Sequence, residues 1–146
     1  MSAIYRKELD IQVIVERFEG CDFKLEEFTH ARHLTVAVWY LAHFDASEAL
    51  VSMRRGLQRF IAHHGKQGYH ETITRFWMEL IGHYLDEVPE TVSLTDKVNR
   101  VIAHFGSKGI LLQYYTQERV MSEAAKREWV EPDLKAISTQ KAGTQR

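Results

Sequence analysis

The sequence predicts an all-α fold: a compact single-domain helical bundle of five to seven helices. Apolar residues recur at spacings of three and four along most of the chain, whereas the alternating β-branched runs typical of strands are few. A length of 146 residues, of which 45% are hydrophobic and 27% charged, fits one globular core. We place the helical domain at residues 1–137 and expect residues 138–146, which are polar, to form a flexible tail.

The first predicted helix runs from Ile4 to Phe18 and ends near Gly20, since glycine is a favourable residue after a helix. We expect Leu9, Val13 and Phe18 to share its apolar side, with Ile11, Ile14 and Val15 beside them, because apolar residues at helical spacing share a helix face. A short connection leads to the second helix.

The second predicted helix begins behind Thr29, whose hydroxyl can cap it, and carries His30 and His33 in its first turn. Asp45 or Ser47 is expected to cap the third helix. The third helix has apolar residues at helical spacing along one side: Leu50, Met53, Leu57, Phe60 and Ile61.

The fourth predicted helix starts at about Tyr69 or His70, after a glycine-containing loop, and continues with a broad apolar stripe. Ser93 or Thr95 is expected to cap the fifth helix, which ends at Gly106.

The remaining segments are shorter. Residues 110–115 form an apolar run that periodicity alone assigns to neither helix nor strand, and we interpret it as helical because the rest of the chain is. Ser122 can cap a last short helix that reaches Glu128. It stops before Pro132, because proline disfavours helix in the residue ahead of it.

Short connections predict where the histidines meet. Helices joined by only a few residues run antiparallel, so the second and fourth helices point in the same direction. Their N-termini then lie at one end of the bundle, beside the C-terminus of the third helix. This end gathers five candidate side chains: His30, His33, His64, His70 and Glu71. Whether His64 belongs to the site is left open.

Two functional interpretations follow. In the first, His30, His33 and His70, with Glu71, hold a divalent metal such as zinc or iron. In the second, no metal is present, and His33, His70 or Glu71 serves as a catalytic base or hydrogen-bonding group for a small molecule. Both assume neutral imidazoles, which the positive end of a helix dipole favours. The residues we expect around the substrate are Trp39, Thr74, Trp77 and Tyr114.

The alternative interpretation is a non-catalytic interaction protein or homodimer, in which the histidines cap helices and bind the backbone. A metalloprotease of the H-E-x-x-H type is excluded, because His70-Glu71 is followed by Thr74 where the second histidine would stand. The chain also lacks a glycine-rich phosphate loop, a nucleophile elbow and a dinucleotide fingerprint, so we expect no nucleotide cofactor.

Composition limits the partners. A formal net charge of −1 provides no basic surface for nucleic acid, whose binding depends on many phosphate contacts. The apolar runs are shorter than the roughly 18 residues that indicate a membrane span, and the first residues do not resemble a signal peptide. We therefore expect a cytoplasmic protein with no membrane association. The single cysteine, Cys21, excludes an intrachain disulfide.

Three segments carry a resemblance to a known family: Phe28-Thr29-His30-Ala31-Arg32-His33-Leu34, Tyr69-His70-Glu71-Thr72-Ile73-Thr74, and Leu111-Leu112-Gln113-Tyr114-Tyr115 with the later Pro132-Asp133. Together they resemble a family of small bacterial helical proteins of uncharacterised function. The resemblance spans roughly residues 9 to 134 and implies a compact helical single domain. The chain departs from the family pattern by having Val130-Glu131 before Pro132, away from the candidate site.

Overall fold

The computed structural model describes residues 4–137 and is all-helical over that range, as the sequence predicts. The predicted tail at residues 138–146 lies outside the described residues. Eight α-helices occur in the described part of the chain: α1 Glu8–Glu19, α2 His30–His43, α3 Ala46–His63, α4 Glu71–Asp86, α5 Leu94–Phe105, α6 Leu111–Tyr114, α7 Gln117–Val120 and α8 Glu123–Arg127. The number exceeds the predicted five to seven because the last third folds as three one-turn helices, of which α7 was not predicted.

Helix α2 lies at the centre of the bundle and packs against α1, α3, α4 and α5. Its residues 34–38 are all buried, so every side of the helix is covered in this stretch. The one polar side chain among them, Thr35, is satisfied: its hydroxyl donates to the Ala31 carbonyl and lies 3.0 Å from the Tyr5 hydroxyl. Because α2 is packed on every side, its first turn, which carries His30 and His33, is fixed in position.

The buried face of α1 differs from the predicted one. Ile11, Val15 and Phe18 are at most 3% exposed, whereas Leu9 and Val13 are 62% and 43% exposed. The prediction that Leu9 and Val13 face the core is therefore wrong. The helix carries apolar residues on more than one side, so its periodicity fits several orientations, and only packing on α2 and α3 selects one.

Helix α1 also begins later than predicted, at Glu8 instead of Ile4. The amides of Ile4 and Tyr5 both donate to the side-chain oxygen of Asn99 on α5, and the Asn99 amide donates back to the Tyr5 carbonyl. These bonds satisfy the backbone of residues 4 and 5 without a helix and hold them against α5.

The predicted caps of four helices are present. In each case a side-chain oxygen accepts the N–H of the residue three positions on, which satisfies a donor that the first turn leaves free. These caps are Thr29 on α2, Asp45 on α3, Ser93 on α5 and Ser122 on α8.

The segment after α8 returns across the start of α4. Thr72 on α4 is fully buried, and its hydroxyl donates to the Glu128 carbonyl and accepts the Val130 amide at 3.1 Å. The hydroxyl of Tyr115 donates to the Val130 carbonyl at 2.6 Å. The C-terminal third therefore covers the N-terminal half of α4.

Candidate functional site

A partly enclosed cavity lies between α2, α3 and α4. It is lined by four of the residues that the sequence places at a site: His30 and His33 in the first turn of α2, and Thr74 and Trp77 near the start of α4. The rest of its wall is apolar: Leu34, Ala37, Met53, Ile73, Met78 and Ile81. The fold thus brings two histidines to one hydrophobic space.

The direction of the two helices explains this arrangement. The His30 ring, in the first turn of α2, lies 4.9 Å from the ring of Trp77, the seventh residue of α4. Toward their C-terminal ends, a methyl group of Leu41 is 3.8 Å from where a Cβ on Gly82 would stand. Helices α2 and α4 therefore run in the same direction, as the short connections predict.

The cavity is small. The volume open to the centre of a water molecule is about 20 Å³, and a water needs roughly 10 to 15 Å³ on this measure. One or two waters therefore fit without movement of the walls. A larger ligand requires side chains to move, and the unbranched thioethers of Met53 and Met78 are the most adaptable part of the lining.

His30 uses one nitrogen to join α2 to α5. Its Nε2 lies 2.9 Å from the Phe105 carbonyl, and because a carbonyl only accepts, Nε2 carries the proton. Burial lowers the pKa of His30, although the bond to Phe105 acts in the opposite direction. The imidazole is therefore favoured as the neutral form, with Nδ1 as an acceptor.

His33 differs from the other histidines of the site. Its ring packs 5.0 Å from the Phe28 ring, and neither of its nitrogens has a hydrogen-bond partner among residues 4–137. Burial, with a smaller contribution from the charge of His30, lowers the pKa of His33 to about 4. At neutral pH this imidazole is uncharged and borders the cavity with its hydrogen-bonding capacity unused.

His70 does not line the cavity and uses both of its nitrogens. Nδ1 accepts the Ile73 amide at 3.1 Å, which caps α4, and Nε2 donates to the Val120 carbonyl at 2.6 Å. Burial lowers the pKa of His70, so it is held neutral. With both nitrogens bonded to the backbone, His70 is free neither to bind a metal nor to act as a base.

Glu71 is also engaged elsewhere. Its carboxylate accepts two hydrogen bonds from Arg54, at 2.9 and 2.7 Å, and one from the Tyr69 hydroxyl at 2.6 Å. Burial alone would raise the pKa of Glu71, but the bonds from Arg54 and Tyr69 outweigh it and lower the pKa. Glu71 is therefore ionised and ties α4 to α3, and it does not line the cavity.

Three other candidates lie apart from the cavity. Trp39 packs against His43 with ring centroids 4.1 Å apart, near the far end of α2. Tyr114 makes an edge contact with Phe76, and the Lys135 ammonium lies 4.8 Å from the centre of the Tyr114 ring. His64 bonds through Nε2 to the Phe23 carbonyl and joins the end of α3 to the connection before α2.

Of the three predicted metal ligands, His30 and His33 line the cavity and His70 does not. In the described part of the chain, no group of three or more histidine, cysteine or carboxylate side chains is arranged to hold a metal ion. His70 and Glu71 are held by hydrogen bonds to the Val120 carbonyl and from Arg54. His30 and His33 line the cavity instead.

The apolar lining was not identified from the sequence. Met53 and Met78 lie on stripes that are expected to form the core, and nothing in their spacing separates a cavity wall from a filled core. One feature of the sequence could have indicated the cavity: the small Ala37 stands between larger apolar residues, which leaves space beside α2.

Comparison with known proteins adds no homologue. No protein-family model matches the chain, and neither the curated proteins nor the solved structures give a match. The family resemblance in the sequence thus stays an expectation. Within residues 4–137, no helix has both the length and the apolarity that crossing a bilayer requires.

Proposed function

We propose that this protein binds a small uncharged molecule in the cavity between α2, α3 and α4. The observation that carries the proposal is His33, a neutral imidazole with no hydrogen-bond partner in the described residues, at the wall of an apolar cavity. A polar group at the wall of an apolar pocket fixes the orientation of a bound molecule, so an imidazole whose nitrogens bond to no protein group in the described residues favours a ligand or a bound water as its partner.

The pKa of His33 favours binding over proton transfer. A general base works best when its pKa lies near the working pH, and a pKa of about 4 makes His33 a weak base at neutral pH. The ring can still donate from one nitrogen and accept at the other. It is therefore suited to recognise a hydroxyl or amide.

The rest of the lining defines the ligand. Apart from Thr74 and the two histidines, the cavity is bordered by hydrocarbon, thioether and indole groups, and no carboxylate or ammonium reaches it. An ionised ligand would lose its hydration there without compensation. The ligand is then a small apolar body with one polar group, admitted by movement of Met53 and Met78.

Phenol and benzene test this proposal as a pair that differs by one hydroxyl. We expect phenol to shift the methyl NMR signals of Met53 and Met78 and to bind about fivefold more tightly than benzene, because a hydrogen bond to His33 adds about 1 kcal/mol. The exposed methyl group of Met121 serves as an internal control. The His33→Phe variant should bind both compounds with equal affinity.

His43→Phe is the matched control, since it makes the same change on the exposed end of the same helix. It should leave the preference for phenol unchanged. Phenol that shifts Met121 as much as Met53, or an unchanged preference in His33→Phe, would refute a site at His33.

The second candidate is a non-catalytic interaction protein, and the bonds of His70 and His64 to backbone carbonyls favour it over an enzyme that uses those histidines. It is compatible with a ligand cavity at His33. Self-association and a cytoplasmic location stay predictions. Sedimentation of the full chain at several concentrations measures the first directly.

A further inference from the structure

His30 lines the cavity together with His33 and has one nitrogen to spare. Its Nε2 donates to the Phe105 carbonyl, so in the neutral ring, which burial favours, Nδ1 carries a lone pair and no proton. No group between residues 4 and 137 donates to this Nδ1. The cavity wall therefore combines an acceptor of fixed type on His30 with an imidazole on His33 whose tautomer no protein bond fixes in the described chain.

Both imidazoles are within reach of a bound molecule. Among the side chains of residues 4–137 that are not exposed, Nδ1 of His83 is the one nitrogen or oxygen that is closed to solvent and lacks a partner. His30 and His33 are partly exposed side chains, and their unbonded nitrogens are not closed in this way. A water or a ligand in the cavity can therefore bond to them.

The two rings are one helical turn apart on α2. Residues three apart share a helix face, with about 5 to 6 Å between their Cβ atoms. The charge of His30 contributes to lowering the pKa of His33, which is consistent with neighbouring rings. A single oxygen between the rings can bond to both, since each hydrogen bond spans about 2.7 to 3.0 Å.

We propose that the cavity selects alcohols and phenols, because a hydroxyl donates to Nδ1 of His30 while it accepts the N–H of His33. This inference rests on the proposed function, since it identifies the polar group of the ligand. A hydroxyl that leaves water gives up bonds of both kinds, and it gains affinity only where both are replaced. A ketone of the same size only accepts, so it leaves Nδ1 of His30 without a partner.

Two further polar side chains line the cavity, those of Thr74 and Trp77. The indole N–H of Trp77 is a donor only, so it serves an alcohol and a ketone alike. The Thr74 hydroxyl gives its hydrogen to the His70 carbonyl, which leaves its oxygen as a rival acceptor on α4. The acceptor one turn from His33 on the same helix is that of His30, so we assign the donor bond of the ligand to His30.

Cyclohexanol and cyclohexanone test the inference as a pair of similar size in which only the alcohol has a hydrogen to donate. We expect both to shift the methyl NMR signals of Met53 and Met78 in the full chain. Cyclohexanol should bind about fivefold more tightly, which is the size of one hydrogen bond. His33→Phe should weaken both compounds, because each accepts from His33.

Two substitutions of His30 separate the roles of its nitrogens. Glutamine ends at the position of Nε2, so His30→Gln keeps a donor for the Phe105 carbonyl and removes the acceptor at Nδ1. It should abolish the preference for cyclohexanol. Asparagine ends at the position of Nδ1, so His30→Asn keeps an acceptor there, loses the bond to Phe105 and should retain the preference. Equal loss in both variants would assign the preference to the Phe105 bond and overturn the inference.

His64→Gln is the matched control, because His64 also bonds through Nε2 to a backbone carbonyl, that of Phe23, and does not line the cavity. It should leave the preference unchanged. Equal affinity for two compounds that both shift Met53 would overturn this inference and leave the proposed function standing, whereas no shift at Met53 would overturn both. A preference that survives in His30→Gln, or that is lost in Thr74→Val instead, would assign the donor bond elsewhere and overturn the inference.

Discussion

His70 and His33 are both neutral histidines near the start of a helix, yet only the ring of His70 is hydrogen-bonded to the backbone. The ring of His70 joins the α4 amide of Ile73 to the carbonyl of Val120, fifty residues away. The ring of His33 has no such bond in the described residues and borders a cavity. Burial lowers the pKa of both, but only His33 retains unused hydrogen-bonding capacity.

His33 should make stability depend on pH. Its pKa falls from 6.5 to about 4 on folding, so between these values the unfolded chain binds more protons, and stability is lost as pH falls from about 6.5 to 4. The loss amounts to at most about 3 kcal/mol. His33→Phe should flatten the curve of unfolding free energy against pH, measured with urea. Parallel curves for the two proteins would show that His33 is not held neutral.

His70 should contribute through its two backbone bonds. His70→Ala removes a helix cap and the donor to Val120, which we expect to cost about 2 kcal/mol of unfolding free energy. His70→Asn should recover about half of this, because asparagine is a good cap but is too short to reach Val120. A chelator should leave the urea midpoint of the natural protein unchanged. A lower midpoint with chelator would instead favour a metal at His70.

At the scale of elements, the two glycines inside long helices have opposite environments. A Cβ on Gly56 in α3 would lie 2.5 Å from a ring carbon of Phe18, so α1 and α3 touch only because the side chain is missing. A Cβ on Gly82 in α4 meets nothing closer than 3.8 Å. The packing of α1 on α3 requires Gly56, whereas a side chain at position 82 has room.

These environments predict opposite effects of the same substitution. Gly56→Ala should destabilise the protein by about 1 to 3 kcal/mol, because the buried Phe18 ring must move. Gly82→Ala should stabilise it by about 0.5 to 1 kcal/mol through helix propensity. Thermal unfolding followed by far-UV circular dichroism measures both. A destabilising Gly82→Ala would mean that α4 itself needs the glycine.

At the scale of the whole molecule, the described chain is held as one unit. Asn99 on α5 binds the backbone of Tyr5 at the beginning of the described residues, and Thr72 on α4 binds Val130 near their end. Ile137, the last described residue, is 8% exposed and belongs to the core. Both ends are thus tied to the central helices.

We therefore expect a single cooperative unfolding transition. Trp39, Trp77 and Trp129 lie on α2, on α4 and in the C-terminal segment, so fluorescence reports on all three parts. Fluorescence and far-UV circular dichroism should give the same urea midpoint. A fluorescence change that precedes the loss of helix would indicate that the C-terminal segment unfolds separately.

The sequence predicted features that depend on nearby residues. The caps at Thr29 and Asp45 were identified correctly because an N-terminal cap involves a side chain and an amide only three residues apart. The parallel direction of α2 and α4 followed from short connections. The buried face of α1 was predicted wrongly, since Leu9 and Ile11 are equally apolar and only contact with α2 distinguishes them.

By itself, the sequence determined the helical class of residues 4–137. It gathered eight residues at one site, of which the structure brings only His30, His33, Thr74 and Trp77 to the cavity. Only the tertiary structure decided which histidine is available to a ligand. The partners of His30, His64 and His70 are carbonyls 75, 41 and 50 residues away, and such bonds depend on how distant helices pack. His33 was left without a partner by the same packing, for the physical reason that no backbone carbonyl in the described chain reaches its ring.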